Sequence, residues 1–465
     1  MPWWALSGRG PRLPRMETPR VLHRLRRRTT AEPARRCVPM GTLGIGLGGA
    51  GAAFVLTGGA MTLGARIMAR LPLVPQADTR WALDVQVRAV YPDRVHLDAT
   101  PETSRPGVIA IRQGGGTIHA RLGAVLGRPT RRTVARELLA MDTAEPLTVG
   151  PAHSNGFYWA GNPVTAHGLP LTEVEIASPV GPMPAWLVPA DPNRARDTAA
   201  RDTATNDTWA ILVHGHGSAR GEGLRIIPLL HHLGLTSLTI TYRNDTGAPA
   251  SADSMHHLGS AEWEDAEAAI DYALAAGARR VVLLGWSMGG GIVLRTAVKS
   301  AHREKIAALV LDSPAVDWTD ILVHHAKALG APAPMRRLAL WMMTSPLGAR
   351  TVRLREPLAL HEMRAEHYAV HLSTPTLLLH AMDDETVPVA PSRRLARLAP
   401  HTVRFVGIDG ASHTREWNRD AARTERLVAE HLVQHLGLTV DVDALSLPVR
   451  DPAAPPLPGA TGMRL

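Results

Sequence analysis

The run Gly285-Trp286-Ser287-Met288-Gly289 sets a serine between two glycines, directly after the apolar stretch Val281-Val282-Leu283-Leu284 and ahead of a helix-forming segment. A strand turning sharply into a helix there exposes the hydroxyl, and the glycines leave room where the two backbones cross. The helix N-terminus behind Ser287 favours developing negative charge. Upstream, Ile211-Leu212-Val213 runs into His214-Gly215-His216-Gly217, a glycine loop able to aim a backbone N–H at an oxyanion. Downstream, Leu377-Leu378-Leu379-His380 leads to Asp383 and Asp384, followed by Val387-Pro388. A last apolar run, 403–408, ends at Asp409-Gly410-Ala411-Ser412-His413. Hydroxyl, carboxylate and imidazole thus follow in order, each at a strand end, a set suited to nucleophilic acyl transfer.

Such groups meet only if their strands lie side by side with the same ends together. From Trp209 onward apolar strands alternate with amphipathic helices, which predicts a parallel sheet covered on both faces. Strands are expected at 210–213, 237–242, 281–284, 307–311, 376–379 and 403–408, helices at 261–276 and 289–300, and two earlier strands at 171–176 and 185–188. Residues 77–165 carry short β-rich runs, including a hairpin turned by Gly114-Gly115-Gly116, and predict a small β-containing accessory domain. Residues 191–208 repeat Ala-Arg-Asp-Thr-Ala in tandem, so an exposed insertion is expected there, and the proline-rich segment 448–465 predicts a disordered tail.

With these motifs in this order the chain resembles the α/β-hydrolase family over about residues 170–437, and more loosely its bacterial lysophospholipase-like and serine aminopeptidase-like members. The resemblance implies an α/β fold with a mostly parallel central sheet and a small cap at about 317–372. It makes Ser287 the nucleophile, His413 the base, Asp384 the residue that orients the imidazole, and the N–H groups of His216 and Met288 the oxyanion hole. The family pattern H-G-x-x-D-x-x-V-P selects Asp384 over Asp383, which reads as a turn carboxylate; Ala381 departs from it by replacing the glycine. His401 precedes the last strand instead of following it, so His413 is preferred. The activity implied is cleavage of a carboxylic ester in a small-molecule acyl substrate, with no cofactor. A peptidase or thioesterase of the same fold, or a non-catalytic binding protein built on it, are the alternatives. Leu338, Leu340, Trp341, Met342, Met343 and Leu347 in the cap suit either an acyl chain or the cap's own packing.

Charge argues against a nucleic-acid partner. The net charge is +9, but the first 36 residues hold ten Arg against Glu17 and Glu32, which leaves the remaining 429 with only +1. Lone Cys37 excludes an internal disulfide. The pairs His231-His232, His256-His257 and His324-His325 lack metal-ligand spacing, and Gly44-Ile45-Gly46-Leu47-Gly48-Gly49 lacks the strand that a dinucleotide site needs. Residues 37–65 carry no charge, enough for one membrane span. The organisation expected is a basic cytoplasmic head at 1–36, a single transmembrane segment at 37–66 and the body outside the cell membrane. A cleaved signal peptide and a soluble linker are the alternatives. Oligomeric state is not legible.

Overall fold

The computed structural model describes residues 59–75, 83–191, 207–455 and 457. Two sheets organise them. Short strands with alternating apolar residues curl into a closed barrel of six: β1 (Val85–Val90), β2 (Arg94–Asp98), β3 (Ile109–Gln113), β4 (Ile118–Leu126), β5 (Thr133–Met141) and β6 (Gly150–Asn155), in the order β1-β2-β5-β4-β3-β6. Val87, Leu97, Ile111, Ala120, Leu122 and Val134 fill its interior, one side of each strand facing in as the period of two requires. The β3–β4 connection is Gly114–Gly116, and all three glycines have positive φ (60°, 68° and 103°), a turn that side chains would strain.

The second sheet has eight strands: β7 (Thr172–Ser178), β8 (Gly181–Val188), β9 (Thr208–Val213), β10 (Thr236–Ile240), β11 (Arg280–Trp286), β12 (Ile306–Asp312), β13 (Thr376–Ala381) and β14 (Val403–Ile408). Their order is β14-β13-β12-β11-β9-β10-β8-β7. From β10 to β14 all neighbours are parallel, whereas β7–β8 and β8–β10 are antiparallel. The interior strands are apolar on both faces because helices cover both. Trp263–Ala275 and Met288–Lys299 belong to the core on one face, Ala421–Leu436 to the core on the other. Between β12 and β13 the chain inserts the cap helices Trp318–Ala328, Ala333–Thr344, Pro346–Thr351 and Ala365–His371.

Two expectations are corrected. The proposed membrane segment was to run to residue 66, but residues 59–70 form a helix docked on the body: Ala65 and Ala69 are fully buried in the main core, and Gly64 packs against Met335 of the cap. Small residues that thin out hydrophobicity allow this close approach. Among the described residues no helix is long and apolar enough to cross a membrane; the basic head and residues 37–58, with the glycine motif at 44–49, lie outside them, as does most of the tandem-repeat insertion. The tail expected to be disordered is ordered at 448–455. Pro452 O accepts from Arg121 Nη1 (2.7 Å) and Tyr158 Oη (2.8 Å), and Val449 N donates to Glu425 (2.7 Å). Proline withholds a donor but keeps its carbonyl, and here buried donors meet it.

Candidate active site

Ser287 sits at φ 52°, ψ −118°, between β11 and the helix Met288–Lys299. That strained turn exists because its flanks are glycine: a Cβ on Gly285 would come 2.5 Å from Gly289 O, and one on Gly289 would strike the Val213 and His214 carbonyls. Backbone bonds hold the turn from two sides, Ser287 N to Asp312 O (3.0 Å) and Ala315 N to Ser287 O (2.8 Å).

Parallel pairing of β11, β12, β13 and β14 brings the remaining groups to the same end of the sheet. His413 Nε2 lies 2.8 Å from Ser287 Oγ, and His413 Nδ1 lies 2.7 Å from Asp384 Oδ2. The other Asp384 oxygen accepts the N–H groups of Thr386 and Val387, both at 2.8 Å. Burial alone would raise the Asp384 carboxyl, but the adjacent imidazole outweighs it and holds the carboxyl below its ordinary value. For His413, burial opposes the cation, yet the charge and hydrogen bond of Asp384 prevail and hold it above the ordinary histidine value. Asp383, by contrast, has a side chain 57% exposed and meets Arg105 at 3.4 Å. Exposed His401 lies before β14, away from Ser287.

Met288, as the first residue of its helix, has an N–H with no acceptor inside the helix. His216 follows Gly215, whose α-carbon faces Ser287 Cβ; among the described residues no hydrogen bond occupies the His216 N–H. The half-buried His216 ring lies 3.2 Å from Pro72 O, and desolvation pushes its pKa down to about 3, so the ring is neutral. Tyr242-Arg243-Asn244-Asp245 proves to be a brace behind this loop: Tyr242 Oη donates to Gly215 O (2.9 Å), while Asp245 lies 2.9 Å from His214 Nε2. His380 is buried between Ser392 Oγ (2.9 Å) and Val387 O (3.0 Å), shaping the turn that carries Asp384.

Several supporting residues were invisible in the sequence. Glu222 accepts from Gly215 N (2.9 Å) and Ser218 Oγ (2.7 Å) and pairs with Arg225 (3.1 Å). Arg225 in turn donates to Thr414 O and Asn418 Oδ1, tying the glycine loop to the loop that bears His413. From the barrel, Glu102 accepts from Ser412 Oγ (2.8 Å) and meets Arg415 (3.2 Å) and Arg105 (3.4 Å). Polar residues in loops carry no periodic signal, so nothing local marked them.

Beside the site a shallow, mostly apolar recess lies between helix 59–70 and the cap, lined by Met68, Leu71, Leu322, Leu329, Leu340 and Met343 among others, with Arg336 the charged residue in its lining. Pro72 and His325 border it; Pro72 O meets the His216 ring, and His325 Nε2 lies 2.7 Å from Thr386 O, two residues beyond Asp384. Among the described residues no cluster of three or more His, Cys, Asp or Glu side chains could hold a metal ion.

Residues 210–430 match the Alpha/beta hydrolase family. They form an α/β-hydrolase domain. The barrel, over residues 86–154, matches a Domain of unknown function (DUF8805). Proteins described as uncharacterized from two strains of Mycobacterium tuberculosis are 28% identical over 210 residues, which cover 44% of this chain and 62% of theirs. The chain thus spans under two thirds of the length of these curated relatives. Among solved structures, the Pyrococcus furiosus esterase Pf2001 aligns with 16% identity and a TM-score of 0.45 over 60% of this chain and 98% of its own. A puromycin-hydrolyzing peptidase of Mycobacterium tuberculosis aligns with 19% identity and a TM-score of 0.44, over 70% of this chain and 47% of that one.

Proposed function

We propose that this α/β-hydrolase domain is a serine hydrolase that cleaves a carboxylic ester through an acyl-enzyme. The reading rests above all on the two hydrogen bonds in series, Asp384 to His413 and His413 to Ser287. In this scheme His413 Nε2 takes the Ser287 proton as Oγ attacks the carbonyl carbon. The N–H groups of Met288 and His216 receive the oxyanion, and Asp384 stabilises the imidazolium through Nδ1–H. Collapse breaks the bond to the leaving oxygen, which takes the proton from His413; water then repeats the sequence and frees the acid. The recess supports an acyl substrate over a peptide, because its lining is mostly apolar, with Arg336 but no carboxylate to meet a peptide amine. We further propose a cell-membrane location with the body outside, held by the uncharged stretch 37–58, whose 22 residues exceed the roughly 20 a span needs.

Mass spectrometry of the folded chain after exposure to a fluorophosphonate tests the chemistry. The label is expected on Ser287 and absent in Ser287→Ala and His413→Ala. Labelling elsewhere, or none at all, overturns the hydrolase reading in favour of a binding protein. Turnover of matched esters, thioesters and amides decides the bond: faster amide cleavage makes the domain a peptidase.

A further inference from the structure

The helix 59–70 and the cap adjoin, and each carries exposed apolar side chains that the hydrolase chemistry does not use. Leu63 is 60% exposed and Leu347 is 69% exposed, and Ile67, Val74, Leu329 and Trp341 are exposed with them. The two elements adjoin, since Gly64 packs on Met335 and the recess between them is lined from both. On the helix, Leu63 and Ile67 stand one turn apart beside Arg66 and Arg70; on the cap, Trp341 stands one turn from Arg337.

Cations dominate both segments. Residues 59–75 and 329–355 contain no Asp or Glu, while Arg66, Arg70, Arg336, Arg337, Arg350, Arg353 and Arg355 fall within them, and exposed Glu356 is the next residue after the second segment. None of these seven arginines forms an ion pair among the described residues. Arg353 and Arg66 are close enough to Arg70 to add their repulsion to the effect of burial, both lowering its pKa. Cations without an ionic partner on segments that also expose leucine and tryptophan favour an anionic partner with an apolar interior.

We infer that this face docks on an anionic lipid bilayer, with Leu63, Ile67, Trp341 and Leu347 among the acyl chains and the arginines on the headgroup phosphates. The chain supplies two arguments for lipid over a protein partner: the uncharged stretch 37–58 ends where this surface begins, and cations flanking apolar residues match the layering of a leaflet. The recess between helix 59–70 and the cap then lies against the lipid. The docking goes beyond the hydrolase reading and does not require it.

The test uses the full chain with Cys37→Ser and Leu347→Cys, carrying an environment-sensitive nitrobenzoxadiazole label, on vesicles of phosphatidylcholine alone or mixed equally with phosphatidylglycerol. The label should shift to the blue on the anionic vesicles only, whereas the same label at the exposed barrel position Val149→Cys should not respond. Adding Arg337→Gln, Arg350→Gln and Arg353→Gln should cut the ratio of docked to undocked label about a hundredfold, since each arginine near an anionic surface contributes to binding. An equal response on neutral vesicles, or none on either, overturns the proposal. A label already buried without lipid, in a chain that sediments as a dimer, overturns it in favour of a second copy. Because no turnover is read, a failed hydrolase reading leaves this result untouched.

Discussion

Two regions border Ser287, and they hold the site by different physics. The barrel side is polar and directional. Glu102 and Arg105 reach Ser412, Arg415 and Asp383, while Val108 N donates to Asn418 O (2.8 Å) and Asn418 Nδ2 returns a bond to Val108 O (3.2 Å). Behind them Arg136, fully buried, donates to the carbonyls of Thr103, Arg105, Gly107 and Gly123 and so fixes the loop that presents Glu102. The cap side is apolar. Its polar links to the acid loop end on backbone carbonyls, His324 to Glu385 O (3.1 Å) and His325 to Thr386 O (2.7 Å). In the proposed hydrolase, directional bonds gather where an acid and a base would keep their geometry, and side chains that can repack gather where an acyl substrate would fit.

The largest effect should come from the acid itself. Asp384→Asn should lower kcat by about 10⁴, because the amide holds the wrong imidazole tautomer, while Asp383→Asn should cost less than about threefold. Equal losses would undo the distinction between the buried and the exposed carboxylate. Acylation needs neutral His413, so turnover should fall as pH drops through a midpoint above the ordinary histidine value of 6.5. Removing the Asp384 charge removes what raises that midpoint. The residual activity of Asp384→Asn should therefore titrate lower, and a pH–rate profile of the two proteins checks the sign.

Next come the barrel residues. Arg136→Met leaves at least four carbonyls without their donor and should lower global stability by about 3 kcal/mol, read by thermal or urea unfolding. Glu102→Ala should reduce kcat about tenfold with KM little changed, since it frees the loop bearing His413 without touching substrate. Glu102→Gln, which can still accept from Ser412, should recover much of that loss. A change in KM alone would move Glu102 from positioning to substrate contact.

This contrast also explains what the sequence revealed. The eight-stranded sheet was legible because its buried strands are continuous apolar runs, and the positions of Ser287, Asp384 and His413 because each ends such a run. Arg136 and Glu102 were not, because their partners lie 13 to 33 and 310 residues away, and one polar residue in a strand or loop looks like any other. The barrel announced its first strand and the glycine-turned hairpin, but not its other strands or its closure, which depends on β1 meeting β6. Helix 59–70 misled for a further reason: Gly64 against Met335 and Ala65 and Ala69 in the core, small residues that permit close packing, resemble the end of a weakly hydrophobic membrane span.

The smallest effect should lie on the cap side and be selective. Leu329 lines the recess at an exposed edge, so Leu329→Trp can fill the space without disturbing the buried cap core. For an acetyl ester kcat/KM should hardly move, whereas for an octanoyl ester it should fall about tenfold, the discrimination that one to two methylenes of apolar contact provide. Glu102→Ala should instead lower kcat for both esters by the same factor, because a displaced His413 handicaps every acyl group alike. Steady-state kinetics of the two variants on the two esters thus separate the regions. If Leu329→Trp slowed both esters equally, the recess would not be the acyl site, and the cap would share the positioning role assigned to the barrel.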